Sequence, residues 1–322
     1  MDILQLIQEK TRFLPQDNHI LGIKAVVSHI QTAEKYWLRG KKEGDENLFT
    51  DVIYRANHAF EGILKEAYSI LAEKDADKRT PNEIEQYLTN NNVFKPRLMD
   101  LFKNYRTEWR NPSTHDYNLF FTEEEALLAI VSVSAFVNIL LDQIVEKVSY
   151  TAEKAKTVNQ VEPIRNNIAK YANLPLKEKI RELFLAFSKD MKITKQDGSL
   201  QEIQIIGLLS GFIAAVDPML KIQQEIEIGS GKQRLRIDML FSFQDEQVII
   251  EIKRGMPSPT NLAGAQDQLS LYLLKTGIHE GIIYFIPTNP SFEMHTDDVK
   301  VEFDKVILNI TRIYPMVTKH IA

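Results

Sequence analysis

The chain has 322 residues, 44% of them apolar and 26% charged, an ordinary globular balance with enough length for two domains. It contains no cysteine, which excludes a disulfide framework and any Cys-ligated zinc or iron–sulfur centre. Its net charge of −5 sits in the first 150 residues (18 Lys+Arg against 23 Asp+Glu), while the rest balances at 21 against 21. Any contact with nucleic acid must therefore come from local clusters such as KQRLR (232–236) or KR (253–254), not from a global basic field.

The opening MDILQLIQEKTRF has no basic segment followed by an apolar run. No secretory leader is expected, and the cytoplasm is the expected compartment. Residues 18–150 are written at helical period. VIYRANHAFEGILKEAYSILAEK (52–74) and FKPRLMDLFKNY (94–105) repeat apolar residues at spacings of three and four. KKEGDEN (41–47) and NNN (90–92) punctuate them. TEEEALLAIVSVSAFVNILLDQIVEKV (122–148) opens with Thr122 as a predicted N-cap and three acidic residues in the first turn. Its uncharged run, 126–141, is 16 residues long, short of the ~20 a membrane-spanning helix needs, so a buried bundle or dimer helix is expected. The prediction for residues 1–150 is an α-bundle of about four or five helices.

Residues 151–175 turn polar and read as a helical extension or linker, and the grammar then changes over 176–322. Helices are predicted at 178–187, 202–216 and 262–277, the last stopped by Gly277. Strands are predicted at 220–228, 234–243, 247–253 and 281–287. The overall fold class is thus α+β in two domains: a helical bundle, then a mixed sheet flanked by helices.

Two stretches carry chemistry. In EWRNPSTHDYN (108–118), Arg110 and His115 stand five positions apart, which on an unbroken helix leaves them roughly 140° apart. Pro112 disfavours helix at Asn111 and permits a break or a new first turn; with a break the two side chains can converge. Such a pair suits RNA cleavage without a metal. His titrates near neutrality and can move the ribose 2′-OH proton, while Arg holds the phosphate bidentately. RNPSTH is similar to the Arg-Asn-x-x-x-His signature of the HEPN superfamily of helical-bundle ribonucleases. The resemblance covers about 18–150, including RANHAFEGILKEAY, and implies Arg110, Asn111 and His115 as catalytic residues acting without a cofactor. It also implies a homodimer joined through the bundle. HDY resembles the extension of a toxin subgroup paired with an antitoxin, which makes Tyr117 the matching modification target.

The second stretch is IDMLF followed by QVIIEIK. Alternation on the strand places Ile249, Glu251 and Lys253 on one face and Val248, Ile250 and Ile252 on the other. Asp238 lies on the preceding strand, 12 residues before Glu251, and pairing through the short QDE turn would bring the carboxylates together. Two carboxylates make an oxygen-only site of the kind Mg²⁺ takes, and Lys253 could position the attacking water. The pattern [DE]-x-K occurs three times, at 190–192, 251–253 and 298–300, but only the second ends an apolar strand that follows an Asp-bearing strand. Asp238 with Glu251-Ile252-Lys253 looks like the PD-(D/E)xK nuclease superfamily. Gln268 and Tyr272 match the Gln-x-x-x-Tyr element of its exonuclease-like branch. That resemblance covers about 176–290, implies Mg²⁺ or Mn²⁺ on Asp238 and Glu251, and makes Glu202 the expected acidic ligand from the first helix, with Glu182 behind it.

The expectation is a cytoplasmic two-domain nuclease of the anti-phage or toxin type, acting on RNA through the bundle and on DNA through the second domain. Its rivals are a DNase whose bundle only dimerises or senses a partner, and a non-catalytic nucleic-acid-binding protein.

Overall fold

The computed structural model describes residues 2–16, 18–115, 120–190, 202–229, 235–254, 257–287 and 293–316. The chain divides into two compact units, Met1–Val148 and Ser149–Ala322.

The first unit is helical: α1 (Ile3–Thr11), α2 (Asn18–Glu43), α3 (Asn47–Leu71), α4 (Pro81–Asn90), α5 (Pro96–Tyr105), α6 (Asn111–His115) and α7 (Glu123–Thr157), whose last turns belong to the second unit. The expected punctuation is visible in backbone angles. Gly44 ends the α2 region with φ +68°, and Asn92 takes φ +51° after α4. Thr122 caps α7 reciprocally: its hydroxyl accepts from the Glu125 N–H, and the Glu125 carboxylate accepts from the Thr122 N–H at 2.8 Å. The core is aromatic. Phe60 on α3 stacks on Tyr105 at 4.6 Å and on Phe136 of α7 at 5.2 Å, with Phe94 and Phe102 closing the group. By length and composition α7 holds a segment apolar enough to cross a membrane, and 56% of it is buried inside the protein.

Pro112 does not break the helix. The chain runs from α5 through a π-helical turn, Arg106–Arg110, directly into α6. The Asn111 N–H donates to the Arg106 carbonyl, five residues back. A proline ring clashes with the carbonyl four residues earlier, and a widened turn is the continuous-helix way to avoid that clash. The expected break is therefore corrected: the backbone from Arg110 to His115 is one continuous helical path.

The second unit is a six-stranded mixed sheet with helices on both faces. Its strands are β1 (Lys221–Ile228), β2 (Leu235–Phe243), β3 (Glu246–Lys253), β4 (Glu280–Phe285), β5 (Glu293–Phe303) and β6 (Val306–Met316), in the order β1-β2-β3-β4-β6-β5. β1, β2 and β3 pair antiparallel, β3–β4 and β4–β6 parallel, and β6–β5 antiparallel. The helices are α8 (Val161–Asn167), α9 (Leu176–Asp190), α10 (Glu202–Val216) and α11 (Pro259–Thr276). Residues 158–160 and 171–173 are single 3₁₀ turns. β5 and β6 were not anticipated. β5 is an edge strand with no fully buried residue; only its second half, Val299-Lys300-Val301-Glu302-Phe303, alternates apolar and charged residues.

α9 and α10 cover one face of the sheet through Leu183, Phe184, Leu209 and Phe212, packed on Met239, Phe241, Val248, Ile250 and Ile252. α11 covers the other through Leu269, Tyr272 and Leu273, packed on Ile249, Ile283 and Phe285. Ser258 caps α11, Pro259 occupies its first turn, and Gly277 ends it at φ +71°.

Two glycines give opposite predictions. A Cβ on Gly211 of α10 would lie 2.3 Å from the Tyr150 carbonyl oxygen, backbone that cannot step aside. Gly264 of α11 is exposed, and a Cβ there meets nothing within 4 Å. Gly211→Ala should destabilise the protein by about 1–3 kcal/mol or more. Gly264→Ala should stabilise it by roughly 0.5–1 kcal/mol. Chemical denaturation of the two variants beside the native chain checks both signs.

Candidate active site

The β2–β3 ladder runs Phe243↔Glu246 to Met239↔Ile250, and one more step of that register sets Asp238 opposite Glu251. There the strands part. β2 continues against β1 (Ile237↔Ile226), and β3 continues against β4 (Glu251↔Ile283, Lys253↔Phe285). The fork leaves the Ile252 N–H without a strand partner, and the Asp238 carboxylate accepts it at 2.8 Å.

β2 also changes faces at this point. Met239 and Phe241 pack under α9 and α10, whereas Leu235 and Ile237 pack in the α11-side cluster. β1 makes the same change between Ile222 and Ile226, across Glu225 at φ +50°. The bend that carries Asp238 is thus shared by two strands.

On β3 the alternation is as expected, with Ile249 in the cluster under α11 and Val248, Ile250 and Ile252 in the opposite one. Glu251 is 2% exposed. Lys253 reaches back along the strand, its Nζ donating to Glu251 Oε1 at 2.5 Å and to Gln268 Oε1 at 2.8 Å. The Gln268 amide in turn donates to the Tyr272 hydroxyl at 2.6 Å. Gln268 and Tyr272 stand one turn apart on α11, so a single helix face supplies both. Glu251, Lys253, Gln268 and Tyr272 therefore form one hydrogen-bonded chain, and Asp238 faces it from the other side of the fork.

Electrostatics bind these groups further. Burial, reinforced by the Asp238 charge, pushes Glu251 up to about 7 despite Lys253. Burial also raises Asp238, against the Ile252 hydrogen bond and Lys253. Glu202, exposed at the start of α10, is raised by partial burial and by Asp238, while Arg254, Lys253 and Arg236 pull it down. Glu202 thus shares the field of the half-buried Asp238 and the buried Glu251. Glu182 is held by its neighbour Arg181 at 3.0 Å on α9. Arg236 and Arg254 are cations around the site that residue spacing gave no reason to single out, although both belong to the basic clusters visible in the sequence.

Glu251 Oε2 is buried and has no hydrogen-bond partner among the described residues. An unpaired buried carboxylate oxygen is costly, and a cation would satisfy it. Among the described residues no group of three or more His, Cys, Asp or Glu stands ready as a metal cage. Mg²⁺ binds through one or two carboxylates and completes its shell with waters and substrate phosphate. Asp238 and Glu251 fit the ion as that pair.

In the first unit, Arg110 is largely enclosed. Its Nε donates to Glu61 Oε1 of α3 at 3.3 Å, and its Nη1 donates to Asn111 Oδ1 at 3.1 Å. Glu85 on α4 is buried, with Oε1 unpartnered, and the Arg110 and Arg106 charges oppose the upward push of its burial. Asn57 ties this region to the core: its Oδ1 accepts from the buried Tyr105 hydroxyl at 3.1 Å, and its amide donates to Ser113 Oγ at 2.7 Å. Ser113 Oγ then donates to the Trp109 carbonyl at 2.7 Å, inside the π turn. The side chain of His115, and Tyr117 entirely, lie outside the described residues.

No family model, curated protein or solved structure matches this chain.

The Glu251 environment predicts a specific pH response. A carboxyl whose folded pKa is raised to about 7 supplies stability that is complete below its ordinary value near 4.5 and is lost as pH rises through 7. Mg²⁺ needs the ionised form, so its stabilising effect should be small below pH 7 and grow above it. Melting temperatures across that range, with and without Mg²⁺, should show the two curves separating. Glu251→Gln should flatten the metal-free curve and remove the separation.

Proposed function

We propose that this chain is a cytoplasmic nuclease whose second unit has the restriction-endonuclease-like fold of the PD-(D/E)xK superfamily and hydrolyses phosphodiesters, in DNA by preference, with Mg²⁺ or Mn²⁺. The observation that carries the reading is the fork of β2 and β3: Asp238 and the unpaired Glu251 oxygen on one side, the Lys253–Gln268–Tyr272 chain on the other. When bound, Mg²⁺ supplies Lewis acidity toward the phosphoryl oxygen and acidifies a coordinated water. The chain's own residues do the rest. Asp238 and Glu251 provide the anionic cradle. Lys253, fixed by two acceptors, points a positive charge where negative charge develops on the phosphate. Gln268 and Tyr272 hold that ammonium in place, and Arg236 and Arg254 provide positive charge for the nucleic-acid backbone.

For the first unit, the HEPN-like signature supports metal-independent RNA cleavage by Arg110, Asn111 and His115 in a homodimer. It also supports an anti-phage or toxin role with an antitoxin or other regulatory partner. Leu127, Leu128 and Val131 leave an exposed apolar strip on α7 that agrees with dimerisation. A second reading gains weight from the unbroken helix and from the ties of Arg110 to Glu61 and Asn111. In it the bundle only dimerises or senses a partner, and all cleavage belongs to the second unit.

A cleavage assay on labelled RNA and DNA, with Mg²⁺ or with EDTA, separates these readings. Lys253→Ala should lower Mg²⁺-dependent DNA cleavage by about 10²-fold or more. EDTA-resistant RNA cleavage that disappears only in His115→Ala would establish the bundle as a second enzyme. If all cleavage requires Mg²⁺ and Lys253, the second reading holds. Absence of any cleavage by the native chain would sink the proposal.

A further inference from the structure

The second unit holds a cavity of about 630 Å³ that the nuclease reading does not use. Its size falls within the ~300–1,000 Å³ range of small-molecule sites. It opens where α8, the 171–173 turn and α9 meet the ends of α10 and β2. Phe243 in its wall lies five residues from Asp238, roughly 17 Å along the strand, so the cavity is separate from the candidate active site.

Its central feature is Lys179, a lysine only 5% exposed. The ammonium lies 4.7 Å from the Phe243 ring centre and 5.1 Å from that of Tyr171, a cation held between two π faces. Its ion-pair partner, Asp217 Oδ2, is 3.6 Å away, too far for a hydrogen bond. That carboxylate is already occupied: Oδ2 accepts from the Tyr171 hydroxyl at 2.9 Å and Oδ1 from the Met219 N–H at 3.2 Å. Lys179 thus presents an ammonium with three donors and no hydrogen-bond acceptor among the described residues. Its Nζ is not sealed from solvent, so water in the cavity can meet its donors. An anion in the cavity would replace that water with a charge-assisted partner.

The rest of the lining narrows the anion. Arg165 and Lys170 add two cations, against the carboxylates of Glu162 and Asp217, so three positive charges face two negative ones. Arg165 is anchored by the Val216 carbonyl at the C-terminus of α10. Lys170 lines the cavity from a left-handed backbone conformation, φ +55°, that a lysine adopts only at a cost. The Asn166 and Asn173 side chains supply paired donors and acceptors of the kind that read hydroxyls or heterocycle edges. The volume is far larger than one inorganic phosphate requires.

We infer that this cavity binds a mononucleotide-sized phosphate monoester, with Lys179 donating to the phosphate. The site is independent of cleavage at the candidate active site.

Isothermal titration calorimetry on the full chain tests it. The probes are AMP, CMP, GMP and UMP, with inorganic phosphate and adenosine as the separate halves of the ligand. At least one nucleotide should bind about tenfold tighter than either half, and Lys179→Met should weaken it about tenfold or more, as loss of a charged hydrogen bond would. Lys253→Ala should leave the affinity unchanged. If Lys179→Met fails to fold, Lys170→Met at the exposed rim should still weaken binding severalfold. The inference is overturned if no nucleotide binds, if adenosine binds as well as AMP, or if affinity is lost in Lys253→Ala and kept in Lys179→Met. The last outcome would place the nucleotide at the candidate active site.

Discussion

The second unit turns on one hydrogen bond, from the Ile252 N–H to the Asp238 carboxylate. A sheet in which β2 follows β1 while β3 follows β4 must open somewhere, and opening exposes backbone donors that no strand can satisfy. Asp238 supplies the missing acceptor with a charged side chain, which is stronger than a neutral substitute would be. The same bond fixes the direction of that carboxylate and therefore its proximity to Glu251. A structural need of the fork and the assembly of an acidic site are met by one residue.

The other half of the site follows from burial. A glutamate 2% exposed on a central strand is sustainable only with partners, and Lys253 partners just one of its oxygens. The ammonium in turn is restrained by Gln268, which is restrained by Tyr272, itself 6% exposed on the sheet-facing side of α11. Rigidity therefore passes from the apolar packing of α11 to the lysine tip. A freely rotating lysine would lose conformational entropy on meeting a phosphate; one held by two acceptors has lost it on folding. The carboxyl that burial raises to about 7 thus stands beside the Lys253 amine with one of its oxygens unpartnered among the described residues.

Much of this was legible in residue order because central strands have little freedom. QVIIEIK alternates between two buried faces, so Glu251 and Lys253 had to share the face of Ile249, and α11 with its Ser258 cap and Gly277 stop had clear ends. The change of faces at Asp238 was not legible, because it depends on two strands bending together and on a positive φ at Glu225, a residue with no turn-forming character. β5 and β6 carry a readable signal in part: Lys300 and Glu302 alternate with Val299, Val301 and Phe303, and Leu308 and Ile310 bury one face of β6. The polar HTDD segment (295–298) hides the first half of β5. Arg236 and Arg254 follow from their adjacency in sequence to Asp238 and Lys253; what only the tertiary fold decides is that Glu202 of α10 comes into their field.

The bundle shows the converse: a local rule applied correctly with the wrong outcome. Proline does exclude the regular α-helical bond pattern at Pro112, but a helix has two ways to comply, ending or widening. Here it widens, and the Tyr105–Asn57–Ser113 network shows what favours that choice. Asn57, buried on α3, needs partners, and a continuous helix carries both the Tyr105 hydroxyl and Ser113 to it. Ser113 in turn donates to the Trp109 carbonyl within the π turn. A break would carry Ser113 away and leave the buried Asn57 amide unsatisfied, at a cost of about 1–3 kcal/mol. The π turn is therefore the less expensive response to Pro112. It also holds Arg110 beside Glu61 by the same buried network that stabilises the bundle, so the environment of Arg110 is inseparable from the packing of α3.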